Sequence, residues 1–207
     1  HIFSLIIPII GVWNLLTLET TDSWTVGLLG LELELLRVDR LSFLFGLLFH
    51  IAAFIGILYA SYVKDRVQQV AALAYAGSAV GAVFAADLIS LFIFWELLAV
   101  TSVFLIWARG TEQAAKSGVR YLIIQVASGM LLLAGALVHY YQTGSIAFNY
   151  LGLKGVAAWA IFLAIGVKCA FPMLHNWVVD AYGEATPSGT VLLSAFTTKV
   201  SVYALAR

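Results

Sequence analysis

An all-α, polytopic bundle of transmembrane helices is the fold class this sequence predicts, on three observations. Hydrophobic residues make up 62% of the 207 and charged residues 11%, against roughly 45–50% and about 25% in soluble domains. Long uncharged runs recur: Leu41 to Val63, Val67 to Ala86, Leu88 to Phe94 and on past one acidic residue to Ala108, then Tyr121 onward. Segments of about 20 residues at 1.5 Å rise cross the roughly 30 Å hydrocarbon core of a bilayer.

Taken in order, Ile2 to Leu18 is an apolar segment with Pro8 inside it, slightly short for a span. The chain opens on His1 within that segment and ends at Arg207 as another helix finishes, the reading expected for part of a longer protein. No charged n-region with a small-residue cleavage site is visible, so no signal peptide is expected. Glu19 to Arg40 is the longest polar stretch. Within it, Leu31-Glu32-Leu33-Glu34-Leu35 alternates with period two and predicts a short strand or hairpin. Leu41 to Val63 is the second span, closed by Lys64-Asp65-Arg66, and Val67 to Ala86 is the third. Asp87 reads as a helix cap at the surface, opening the run Leu88 to Ala108. Arg109 to Arg120 reads as a polar connection, Tyr121 to about Gln142 as the next span, and Thr143-Gly144-Ser145 as the start of a loop. Gly155 to about Met173 follows, interrupted by Lys168 and Pro172. Asn176 to Pro187 reads as a polar, turn-rich connection, and Val191 to Ala206 as the last helix.

About seven spans result. The connections holding Lys64, Arg66, Arg109, Lys116 and Arg120 alternate with those holding Arg37, Arg40 and Lys154. The positive-inside rule then puts the first group in the cytoplasm and the hairpin outside it.

Eleven basic residues balance eleven acidic ones, so charge argues for no nucleic-acid partner. One cysteine, Cys169, excludes an intrachain disulfide and an all-cysteine metal cage, and reads as a small apolar residue inside a helix. No His/Cys cluster, phosphate-cradling glycine loop or nucleophile–base pattern is present. No cofactor and no metal are therefore expected.

The chemistry-bearing residues are the ionisable ones inside apolar runs. Glu96 sits near the middle of Leu88 to Ala108, where an isolated charge costs at least about 2.5–3.5 kcal/mol. It reads as a proton-relay carboxylate or, alternatively, as a protonated hydrogen-bonding group between helices. Lys168 lies one turn before Pro172, which removes a backbone bond and clashes with the Lys168 carbonyl. A broken or kinked helix is expected there, of the kind that marks ion sites in transporters; a snorkelling lysine is the alternative. His175 would share a face with Lys168 if the helix resumed in register, as a proton shuttle or an interfacial histidine beside Trp177. Asp180 and Glu184 are candidates for a proton entrance, or solvated loop residues. Lys199, beside Thr197, Thr198 and Ser201, lies too far from either helix end to snorkel and is a candidate to accept a proton from Lys168. His139, near its helix end, reads as structural.

Three segments in this order carry a family resemblance: Phe94-Trp95-Glu96-Leu97-Leu98, then Lys168 with Phe171-Pro172-Met173-Leu174-His175-Asn176-Trp177-Val178-Val179-Asp180, then Thr198-Lys199-Val200-Ser201-Val202-Tyr203. The sequence resembles the proton-translocating antiporter-like membrane subunits of Mrp-type Na⁺/H⁺ antiporters, of the membrane arm of respiratory complex I and of membrane-bound hydrogenases. Residues 120–129 look most like the antiporter D-type subunit, whereas His175 to Asp180 departs from the family's usual leucine-and-proline version. The resemblance implies about fourteen helices with two inverted five-helix repeats. Residues 1–66 would then be N-terminal helices with an extracytoplasmic hairpin-like loop and 67–207 the first repeat, the second being absent from this chain. It also implies that Glu96, Lys168 and Lys199 form a relay, with Pro172 at the helix break.

The function implied is proton translocation in a multi-pass subunit of a bacterial plasma membrane, coupled to Na⁺ within an antiporter complex. Its partners would be other membrane subunits, protons, Na⁺ and the lipid bilayer. Alternatives are a redox-driven membrane-arm subunit without its own redox centre, and a structural membrane scaffold.

Overall fold

The structure, a computed structural model, describes residues 2–19, 22–28 and 30–207; His1, and Thr20, Thr21 and Leu29 of the polar stretch, lie outside the described residues. Helix α1 (Ile2–Thr17) leads into strands β1 (Ser23–Leu28) and β2 (Leu31–Arg37), followed by α2 (Arg40–Tyr59) with a short 3₁₀ turn to Tyr62. Then come α3 (Arg66–Phe84), α4 (Leu88–Trp107), α5 (Glu112–Thr143), α6 (Gly155–Lys168), α7 (Asn176–Glu184) and α8 (Pro187–Ala206).

Five of these helices, α2 with its 3₁₀ turn, α3, α4, α5 and α8, are long and apolar enough to cross a membrane; α1 and α6 are shorter apolar helices. Exposed tyrosines mark both ends of the bundle: Tyr59 and Tyr62 at one, Tyr141 and Tyr150 at the other. That is the aromatic belt of a membrane protein.

The ends of the helices are closed by side chains the sequence supplies. Asp39 accepts from the amides of Leu41 and Ser42 and forms a capping box at the start of α2. Thr111 caps α5 and Thr186 caps α8, each satisfying an amide the first turn leaves free. The expected Arg109 to Arg120 connection is shorter than the charge pattern suggested. Helix α5 starts at Glu112 and carries Lys116 and Arg120 outward on its first turns. The expected loop over Asn176 to Pro187 holds a helix, α7, whose Trp177 and Ala181 are buried; two apolar anchors one turn apart are enough to seat it.

The period-two segment does form a hairpin, Ser23 opposite Arg37 and Leu28 opposite Leu31, with a bulge between Trp24 and Thr25. Strand β2 docks on the bundle through its backbone. The Glu34 amide donates to Asp87 Oδ2 at 2.8 Å, and the Ala86 amide donates to the Glu34 carbonyl at 3.0 Å. On the other side, Phe148 donates to Ala86 and Leu88 donates to Ile146, both at 2.8 Å. Asp87 caps α4 through the Ile89 and Ser90 amides, but it is 3% exposed rather than at the surface. The hairpin and the 146–148 segment cover it, and the Glu34, Ile89 and Ser90 amides with the Ser90 hydroxyl satisfy its carboxylate.

Candidate functional site

Helix α4 carries Glu96 and α6 ends at Lys168. The termination is a Schellman motif: the Ala170 amide donates to the Val167 carbonyl and the Phe171 amide to the Gly166 carbonyl. It requires Ala170 in the left-handed region at φ +59°, a place usually given to glycine. Pro172, three residues beyond the Cys169 cap, cannot continue the helix. The chain becomes helical again only at Asn176.

The break brings Lys168 into the bundle. Its side chain is 0% exposed, its ammonium donates to the Trp95 carbonyl at 2.8 Å, and it lies 4.5 Å from the centre of the Trp95 ring. A buried cation costs several kcal/mol unless paired, and the carbonyl and ring face offset part of that. Trp95 is itself fixed by two further helices. Its indole N–H donates to Ser128 Oγ at 3.1 Å, and Ser128 donates to the Ala164 carbonyl at 2.8 Å.

Glu96 follows Trp95 directly and is half-buried. It lies against Gly129 of α5, where a Cβ would stand 1.5 Å from Glu96 Oε1. That oxygen is buried and has no hydrogen-bond partner among the described residues. The Lys168 ammonium is anchored on the backbone carbonyl of the residue directly before Glu96.

The other sequence candidates lie elsewhere. Lys199 is exposed on the outer face of α8, donating to the Ser194 carbonyl at 2.6 Å and to Thr198 Oγ1 at 3.2 Å. It is not desolvated by this chain's own packing. His175 is exposed and sits at the cap of α7, not on the Lys168 face, because no helix connects the two. Asp180 and Glu184 are in a helix, Asp180 Oδ2 being 3.3 Å from Arg120 and Glu184 3.9 Å from Arg109. Cys169 caps α6 and is partly buried. His139 lies within α5.

Sequence reading missed the polar groups around the pair. Gln125 is 0% exposed, and neither its amide oxygen nor its nitrogen has a hydrogen-bond partner among the described residues. Tyr121 and Ser102 share a 2.7 Å hydrogen bond between α5 and α4, and Tyr75 and Thr197 share one of 2.5 Å between α3 and α8. The available signal was spacing: Ser117, Tyr121, Gln125 and Gly129 recur every four residues, one buried line along α5.

Residues 85–207 match the family described as NADH:quinone oxidoreductase/Mrp antiporter, transmembrane. The chain belongs to that family. Its sequence is 31% identical over 149 residues to NADH-quinone oxidoreductase subunit M of Escherichia coli, covering 63% of this chain and 29% of that protein. It is 30% identical over 197 residues to an NAD(P)H-quinone oxidoreductase chain 4 of Synechococcus elongatus, covering 89% of this chain and 36% of that one. Its fold is similar to a chain of the membrane-bound sulfane sulfur reductase, an archaeal respiratory membrane complex (TM-score 0.80, 22% identity, 99% of this chain and 46% of that one). It is equally similar to a chain of the Mrp complex from a Dietzia species (TM-score 0.80, 19% identity, 98% and 41%). The chain thus spans about a third of the length of these sequence relatives.

Proposed function

We propose that this chain carries protons within a larger membrane complex, using Glu96 and Lys168 as an intramembrane pair. The carrying observation is the burial of a lysine on the backbone next to a carboxylate whose inner oxygen is unpartnered. Unit charges about 6 Å apart at an effective dielectric near 20 interact by about 3 kcal/mol, or about two pKa units. Such a coupling is large enough to gate a proton step and small enough to reverse. When Glu96 takes a proton, Lys168 loses its compensating charge and passes its own proton on. The receiving group is Lys199, exposed on the outer face of α8.

The source of energy divides the reading. The Mrp-complex likeness supports coupling to a Na⁺ gradient, as in a Na⁺/H⁺ antiporter of a bacterial plasma membrane; the sequence likeness to NADH-quinone oxidoreductase subunits supports redox-driven pumping. The two folds match equally well, and the sequence relatives at about 30% identity favour the redox-driven arm. The test is Glu96→Gln in the full-length protein within its complex, reconstituted in vesicles and driven in turn by NADH and by a Na⁺ gradient. Loss of ΔpH with normal assembly supports the relay, and the effective driver identifies the coupling. Wild-type ΔpH would leave Glu96 as a structural group.

A further inference from the structure

We infer that protons reach Glu96 along the α4–α5 seam, over a polar track in which Gln125 is the last protein group before the carboxylate. This deepens the proposed function and rests on it. Contacts across the seam run antiparallel: Glu96 against Gly129, Trp95 against Ser128, Ser102 against Tyr121. That register puts Gln125 opposite the stretch between Glu96 and Ser102, one turn from each. Beyond Tyr121 the line continues to Ser117, whose hydroxyl donates to the Asp180 carbonyl at 2.8 Å. There it reaches the end of the bundle where Asp180 meets Arg120. Four-residue steps of α5 rise about 6 Å each, so Ser117 to Gln125 covers about 12 Å of bilayer depth.

Two orphan groups mark the inner end of this track. Gln125 is fully buried with both amide atoms unpartnered, and Glu96 Oε1, which lies against Gly129 one turn along α5 from Gln125, is likewise unpartnered. Buried amides left unsatisfied are rare and costly. Two that face the same seam satisfy each other best through shared water, which has a polar partner on each side. The amide itself does not titrate; it orients water, and the Tyr121 and Ser102 hydroxyls each accept one proton and release one. The net step takes a proton from water at the Asp180 end and leaves it on the Glu96 carboxylate, every intermediate group ending as it began.

The test uses the full-length protein in its complex. Gln125→Leu is expected to slow ΔpH formation about tenfold, the kinetic worth of one hydrogen bond. Tyr121→Phe, which keeps the ring and removes the hydroxyl, is expected to slow it as well. Infrared difference spectra supply a readout that a merely structural role would not move. The carboxyl C=O band that vanishes in Glu96→Gln should shift to higher wavenumber in Gln125→Leu and return toward its original place in Gln125→Asn. Unchanged rates in both track variants, or a slow Gln125→Leu with an unmoved band, would overturn the track. If Glu96→Gln itself transports normally, the proposed function fails instead. Should Gln125→Leu not assemble, Tyr121→Phe decides by rate alone.

Discussion

The Lys168 ammonium donates to the carbonyl oxygen of Trp95 at 2.8 Å, so the buried cation is held on the backbone one residue before Glu96 and not on its carboxylate. The carboxylate can therefore change protonation without unseating the lysine. Replacing Lys168 by Met keeps the volume and removes the charge. Apolar isosteres of buried ions are often neutral or stabilising, so the variant complex should assemble with an unchanged or slightly higher melting temperature. ΔpH-linked transport should fall at least about tenfold, a step worth 1.4 kcal/mol in the barrier. Vesicle transport and a thermal melt on the same preparation check both halves.

Two glycines of α5 separate function from stability. At Gly129 an added Cβ meets the far end of the Glu96 side chain, whereas at Gly135 it would lie 3.1 Å from the Ala157 carbonyl oxygen and the Ile161 amide nitrogen. A side chain can move aside and a packed backbone cannot. Gly129→Ala is therefore expected to assemble normally and transport slowly, while Gly135→Ala should lose about 1–3 kcal/mol of stability. Melting curves and transport rates of the two variants should rank in opposite orders.

The break after α6 depends on Ala170 more than on the proline alone. Ala170 holds a left-handed conformation at φ +59° and the two Schellman bonds that go with it. Ala170→Gly should relieve about 1 kcal/mol of strain and raise the melting temperature while transport continues. Pro172→Ala leaves the motif in place, so the helix should still end at Lys168 and transport should stay within about twofold, well inside one hydrogen bond's worth. A long continuous helix in that variant, seen by amide hydrogen exchange, would contradict this.

At the hairpin end, Arg207 bonds both Asp39 and the Tyr203 hydroxyl. Burial alone would raise the Asp39 carboxyl, but the Ser42 amide and the Arg207 guanidinium outweigh it and hold the group below the usual aspartate range. A carboxyl depressed in the folded state contributes stability above its unfolded pKa of about 3.9, lost as pH falls through the folded value. The stability gap between the parent and Asp39→Asn should be steady from pH 8 to about 5 and close below about pH 3. Detergent-solubilised melts across that range measure it.

Hydropathy and charge spacing were sufficient to place the long apolar helices, since the bilayer sets a length that any spanning helix must match; of the about seven spans expected, five are long and apolar enough to cross a membrane. An isolated Glu96 or Lys168 in an apolar run is equally visible, because its cost makes it rare. Boundaries failed where tertiary packing overrode local polarity. Lys116 and Arg120 look like loop residues, yet they ride on the extended first turns of α5; Asn176 to Glu184 looks like a turn, yet Trp177 and Ala181 seat it as a helix. Asp87 was legible as a cap but not as a buried one, because its cover, the Glu34 amide and the backbone bridge to Ala147, is remote in sequence.

The sequence by itself determined that this chain is a polytopic helical protein with helices long and apolar enough to cross a membrane, and with a carboxylate and lysines inside its apolar runs. Only the tertiary structure decided which of them meet. Lys168 turns inward to Trp95 beside Glu96, Lys199 faces outward, His175 is cut off from Lys168 by the left-handed turn at Ala170, and the unpartnered Gln125 amide lies on the buried line of α5 one turn from Gly129. Periodicity assigns residues to faces within one continuous helix. Where a helix ends, or where two helices meet, relative orientation comes from caps, close approaches such as Gly129 on Glu96, and hydrogen bonds between residues far apart in the chain.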